Sequence, residues 1–130
     1  MKYRTVRVVL VDDQESFRSA ARLVIDSVDD FELVGEAESA EEGLELTASL
    51  APDLVLMDIN LPGIDGLEAT RRIAGARSAP RVVVLSTYEA AEYEGRSLDA
   101  GAVAFLSKSD FEPDKLLRIW ESSVEGDPHP

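Results

Sequence analysis

Apolar residues along this chain follow two alternating rhythms. Short runs of strand length, Val6 to Val11, Phe31 to Ala37, Asp53 to Met57, Val82 to Leu85 and Val103 to Leu106, are separated by stretches with helical spacing. The first, third and fourth runs are nearly unbroken, as parallel strands covered by helices on both faces should be. Phe31 to Ala37 mixes Glu32 and Glu36 into its apolar positions, and Val103 to Leu106 is short, so both suit the edges of a sheet. The pattern predicts five consecutive βα units.

With the first, third and fourth strands central, the chain is expected to form a doubly wound parallel α/β sheet of the flavodoxin-like (βα)5 kind, strand order 2-1-3-4-5. Right-handed crossovers then place helices on both faces, and ligands are expected beyond the carboxyl ends of the strands, between the first and third. Phe17, Ala20, Ala21, Val24 and Val28 form one stripe of a first helix. Ser39 and Glu42 make a capping box for a second that turns Leu44 and Ala48 inward. A third helix is expected over Gly66 to Ala74, closed by Gly75 as a C′ glycine. The fourth, about Glu89 to Ala100, has few large apolar residues and carries Gly95 inside, which costs about 1 kcal/mol relative to alanine. It should be the least stable element. The fifth begins near Pro113 and faces Leu116, Trp120 and Val124 inward, with Trp120 in the core. Residues 4–124 read as one domain and 125–130 as a disordered tail or linker stub.

Charge narrows the chemistry. Thirteen Lys and Arg against 26 Asp and Glu give a net charge of −13, without the basic footprint that direct nucleic-acid or anionic-membrane binding needs. There is no cysteine, and the one histidine, His129, lies in the tail, so thiolate nucleophiles, Cys or His metal sites and Ser-His-Asp catalysis lack their parts. Any metal should be a hard, oxygen-loving cation. No apolar run approaches the ~18 residues that span a bilayer, and no signal peptide is legible, so a cytoplasmic location is expected.

The predicted strand ends gather polar residues. Asp12 and Asp13 follow the first strand, Asp58 the third, Ser86 and Thr87 the fourth, and Lys108 the fifth. Each alone is an ordinary turn or surface residue; their convergence on one edge of one sheet is what carries the functional reading. Three carboxylates in one pocket repel each other unless a cation neutralises them, and Mg2+, which keeps several waters and bridges to phosphate, suits so few protein ligands better than Ca2+; Mn2+ is an alternative. Asp58, on a rigid central strand, is placed to act as a nucleophile towards a phosphoryl group, forming aspartyl-phosphate. Lys108, two strands away at ~10 Å, can bring its ammonium to a phosphoryl oxygen, and Ser86 can donate a hydroxyl hydrogen bond to another.

At these residues the chain resembles the receiver domain of two-component response regulators, over roughly Val6 to Val124. The resemblance implies that Asp12, Asp13, Asp58 and the backbone carbonyl of Asn60 hold Mg2+ and that Asp58 accepts a phosphoryl group from a sensor histidine kinase or a phosphotransfer protein. Catalysis would come largely from the receiver itself, with Lys108, Ser86 and Thr87. The L-P-G-I-D-G of Leu61 to Gly66 resembles the turn after the acceptor. Ser86 and Phe105 correspond to the family's hydroxyl and aromatic switch positions, although Phe105 reads equally as a core aromatic. The implied output is a rearranged surface of the fourth helix, fifth strand and fifth helix, with a homodimer on activation as one outcome. The L-S-K-S wording is similar to the subfamily of nitrate-responsive regulators (the NarL/FixJ type), which carry a helix-turn-helix output domain; none follows Trp120 here, so an excised or a free-standing receiver is expected.

One departure stands out. Many receivers have proline after the lysine, often with a cis bond, whereas this chain has Ser109 after Lys108. A non-proline cis bond costs about 3–4 kcal/mol, so a trans or a strained bond is expected. Three rival readings are weaker. A haloacid-dehalogenase-type phosphatase calls for a second aspartate where Asn60 stands, a pseudo-receiver would not need the full Asp12, Asp13, Asp58, Ser86 and Lys108 set, and a nucleotide- or flavin-binding protein would need a Gly-rich cradle.

Overall fold

The structure is a computed structural model, describing residues 5–87 and 91–125. Five parallel strands, β1 (Val6–Val11), β2 (Phe31–Ala37), β3 (Leu54–Asp58), β4 (Arg81–Ser86) and β5 (Ala104–Ser107), form one sheet in the order β2-β1-β3-β4-β5. The edge positions expected for Phe31–Ala37 and for the fifth strand are the ones observed. β3, β4 and β5 each end one residue later than the apolar pattern indicates, because Asp58, Ser86 and Ser107 still pair in the ladder, with Asp58 opposite Leu85 and Ser86 opposite Ser107. Between β1 and β2 the register slips, Val8 pairing with Leu33 and Val9 with Gly35, so Val34 is an extra residue on the outer strand.

Five helices, α1 (Glu15–Ser27), α2 (Ala40–Leu50), α3 (Gly66–Ala74), α4 (Ala91–Asp99) and α5 (Pro113–Glu125), alternate with the strands. Period-two alternation along the strands divides the core into two layers. Val8, Leu10, Leu54, Leu56, Val83 and Leu85 pack with Ile25 of α1 and Leu116 of α5. Val9, Val11, Val55, Met57, Val82 and Val84 pack on the other face with Ala40 of α2 and Leu67 and Ile73 of α3. Burying a leucine such as Leu56 contributes roughly 1.5–3 kcal/mol, so these layers fix the strand ends rigidly.

Several sequence expectations need correction. In α1 the buried positions are Arg18, Ala21 and Ile25, with Val28 buried just past the helix, while Ala20 is exposed. In α2 the inward positions are Ala40 and Gly43, with Leu44 half-buried and Ala48 exposed. Alanine has too little apolar area to mark a face by itself. Ser39 caps α2 as expected, accepting from the Glu42 N–H, but Glu42 Oε1 accepts from the Glu38 N–H rather than that of Ser39. Gly75 ends α3 with a right-handed φ of −83°, so its left-handed freedom is not used. Pro113 opens α5 and Leu116 is buried, but Val124 is 43 % exposed, because the last turn outruns the sheet. Trp120 is half-buried against the core, edge-on to Phe31 at 6.3 Å and under the Arg81 guanidinium at 5.5 Å. Glu89, at the expected start of the fourth helix, and residues 126–130 of the expected tail, including His129, lie outside the described residues.

Candidate functional site

β1 leads directly into Asp12, which is wholly buried. Its Oδ1 accepts from the Gln14 N–H at 2.8 Å, an Asx-type turn that sets Gln14 as the N-cap of α1. Asp13, next to it, is exposed. Asp58 closes β3, buried, with Oδ1 accepting from the Asn60 N–H at 3.1 Å; Asn60 itself is exposed. The chain then returns so tightly that α3 starts against the strand end. The Gly66 N–H donates to the Ile59 carbonyl at 3.2 Å, and a Cβ at Gly66 would lie 2.0 Å from the Asp58 carbonyl oxygen. Only glycine permits this approach.

Ser86, the last residue of β4, is wholly buried, and Thr87 beyond it is exposed. Lys108 opens a single 3-10 turn, Lys108–Asp110, after β5. Its side chain reaches further than the sequence suggests. The ammonium passes Asp58, with Nζ 3.4 Å from Asp58 Oδ2, and arrives 2.6 Å from Asp12 Oδ2 at the end of β1. Gln14 Oε1 also accepts from Nζ at 3.2 Å, and Nζ lies 4.8 Å from the centre of the Phe17 ring, a cation–π contact. Phe105 is half-buried on β5 and packs against the core layer of α2, α3 and α4. No peptide bond among the described residues is cis, so Lys108–Ser109 is trans, the first of the two expected geometries.

The structure therefore brings Asp12, Asp13, Asp58 and Lys108 together and places Ser86 on the adjoining strand end. Carboxylate oxygens of Asp12, Asp13 and Asp58 all lie within 4.8 Å of one another. Burial, followed by the neighbouring Asp12 carboxylate, pushes Asp58 up to about 6, and Lys108 and the Asn60 N–H only partly offset this. Asp12 Oδ2 is buried and accepts no hydrogen bond, because the close Lys108 ammonium lies off a hydrogen-bonding direction; the contact is purely ionic. A buried carboxylate oxygen met only by the Lys108 ammonium, beside two further carboxylates, is a donor set that fits a hard divalent cation such as Mg2+.

Three residues at this site escaped the sequence reading as functional groups. Gln14 and Phe17 hold the Lys108 ammonium from α1, and Arg18, 7 % exposed, donates from Nη1 to the Asp12 carbonyl at 2.6 Å while its Nε lies 3.3 Å from Glu36 Oε1. Arg18 also pairs with Glu15 three residues earlier and falls in the stripe of Ala21, Ile25 and Val28, but its charge hides that burial from a reading of apolar positions.

The family model for the response regulator receiver domain matches residues 8–121. The chain is 36% identical over 120 residues to the nitrate/nitrite response regulator protein NarL of Escherichia coli (strain K12), covering 92% of this chain and 55% of that one. It is 36% identical over 104 residues to the transcriptional regulatory protein LiaR of Bacillus subtilis, covering 80% of this chain and 49% of the relative. This chain thus spans about half the length of these curated relatives. In structure it is similar to the response regulator domain of Thermotoga maritima CheB, with a TM-score of 0.84 and 32% identity over 96% of this chain and 100% of that one. With a family match running from inside β1 into α5 on a sheet of the order β2-β1-β3-β4-β5, the chain belongs to the response regulator receiver domains.

Proposed function

We infer that this receiver domain is a phosphorylation switch whose acceptor is Asp58. The observation that carries the reading is the Lys108 ammonium bridging Asp12 and Asp58 in a pocket with a third carboxylate, Asp13. Asp58 titrates near 6, so at neutral pH its carboxylate is ionised and nucleophilic. An Asp58 oxygen forms a bond to the phosphorus of a donor phosphohistidine, the P–N bond breaks, and the imidazole nitrogen leaves with the electron pair and takes a proton from water. Lys108 moves its charge from the carboxylates to a phosphoryl oxygen, and Ser86 and Thr87 supply hydroxyl donors at the next strand end.

Asp12, Asp13, Asp58 and the Asn60 carbonyl would hold Mg2+ in this reading. When bound there, it would supply the positive charge that offsets the crowded carboxylates and an incoming phosphoryl group. The donor is a sensor histidine kinase or a phosphotransfer protein, and Asp58 binds its phosphoryl group without needing nucleic acid or membrane. No helix among the described residues is long and apolar enough to cross a membrane. Once Asp58 is phosphorylated, Ser86 moves towards the phosphoryl group, Phe105 turns inward, and the α4-β5-α5 surface changes shape for an output partner, an output domain or a second copy. The switching unit is residues 4–124. The test is intact-mass analysis after incubation with Mg2+ and a small acyl phosphate. Wild type gains one phosphoryl group and Asp58→Ala gains none; equal labelling of the two overturns the assignment.

A further inference from the structure

Resting on that reading, we propose that Ser107 is a positioning residue for Lys108, holding the lysine's backbone with a hydroxyl pair where this chain lacks the proline common in its family. Ser107 is the last residue of β5, is 5 % exposed, and lies opposite Ser86 in the ladder. Its backbone is extended, at φ −69° and ψ 141°, and it caps the 3-10 turn that begins with Lys108. Its Oγ lies 2.9 Å from Ser109 Oγ and accepts from the Ser109 N–H at 3.4 Å. The turn closes with the Phe111 N–H donating to the Lys108 carbonyl at 3.2 Å. Lys108 is therefore bracketed on both sides, by a side-chain cap before it and a backbone bond after it.

The bracket matters because one ammonium serves two carboxylates on different strands. Lys108 follows β5 at one edge of the sheet, and its ammonium meets Asp12 at the end of β1, with β4 and β3 between them. A shift of the Lys108 Cα is carried along the stem to an ammonium that must reach both carboxylates. A small rotation of the 107–109 backbone moves Nζ off Asp12 and Asp58. Proline can fix such a segment through its ring. Here the two serine hydroxyls fix it by local side-chain hydrogen bonding, as in other Ser-capped turns. Threonine carries the same hydroxyl and can keep the cap; alanine cannot.

The test is a double-mutant cycle on the rate at which the chain gains a phosphoryl group from the acyl phosphate at saturating Mg2+, read by intact mass. Because the hydroxyl acts through the lysine, Ser107→Ala should slow wild type by ~5-fold yet change the rate by less than ~1.5-fold in a Lys108→Ala background, the non-additivity expected of coupled residues. Ser107→Thr should run at the wild-type rate. An equal fall in both backgrounds overturns the proposal, because the hydroxyl then acts on the fold at large. An unchanged rate in Ser107→Ala, or a rate for Ser107→Thr as low as for alanine, overturns it as well. Each of these leaves Asp58 as acceptor intact. Wild type that gains no phosphoryl group at Asp58 removes both readings together.

Discussion

α3 and α4 are neighbouring helices of nine residues each, connected in the same way to the same sheet, and they are anchored very differently. α3 buries Gly66, Leu67, Ala69, Thr70 and Ile73, whereas the only buried side chain described in α4 is Ser97, with Tyr93 half-buried beside it. Their glycines show the difference most directly. Gly66 stands where any Cβ would strike the Asp58 carbonyl, while a Cβ on Gly95 would meet nothing within 4 Å. One glycine is required by packing against the acceptor strand and the other only loosens its helix. The lesson is that one sheet edge carries a fixed wall next to Asp58 and a weakly held element one strand further on, the kind of low-stability segment from which switching parts are drawn.

The comparison breaks most easily at Gly66. Gly66→Ala should destabilise the fold by about 3 kcal/mol through overpacking against backbone that cannot yield, measured by urea denaturation. A loss no larger than at an exposed helix site would mean that α3 is not locked to the strand. Next come two leucines. Leu67→Ala, removing a buried side chain of α3, should cost about 2–3 kcal/mol. Leu98→Ala, 46 % exposed in α4, should cost less than about 0.5 kcal/mol. Similar values for both would erase the distinction between the helices.

Asp58 sharpens the contrast through its charge. Burial and Asp12 raise its pKa to about 6 in the fold, above the ~3.9 of an unfolded aspartate. The folded state therefore holds more protons between those values, and the ionised carboxylate costs stability in full above about pH 6 and nothing below about pH 4. In metal-free buffer, Asp58→Asn should be more stable than wild type by about 1–3 kcal/mol at pH 8, with the gain shrinking as pH falls through 6. Denaturation curves showing the same gain at pH 8 and pH 4 would contradict this origin. Smallest is Gly95→Ala, expected to stabilise α4 by about 0.5–1 kcal/mol, since the added methyl has room and the helix loses a flexible residue. Faster amide exchange in α4 of the variant would contradict that.

The sheet was legible in the sequence because parallel strands buried on both faces write themselves as unbroken apolar runs, and the edges betrayed themselves through Glu32 and a short fifth run. Strand ends were less legible. Asp58 and Ser86 look like loop residues by polarity, yet their backbones pair in the ladder, and pairing does not depend on side-chain type. The grouping of Asp12, Asp13, Asp58 and Lys108 followed from topology alone, because each sits at a strand's carboxyl end. How the group is held did not. Arg18 falls on the buried stripe of α1 with Ala21 and Ile25, but a charged residue there reads as solvated, and its tertiary partners, the Asp12 carbonyl and Glu36, are brought to it by the packed fold. Ala20, Ala48 and Val124 failed as core residues for a related reason, as small side chains and last turns carry little burial information.

The slipped register at Val34 has a consequence for how such molecules behave in company. An outermost parallel strand presents a row of unpaired amide groups to any extended chain that drifts alongside it. Here the extra residue interrupts the spacing of that row, and Glu32 adds an exposed negative charge to the same border. A second molecule finds no even template to extend, so the β2 edge opposes growth of the sheet from copy to copy.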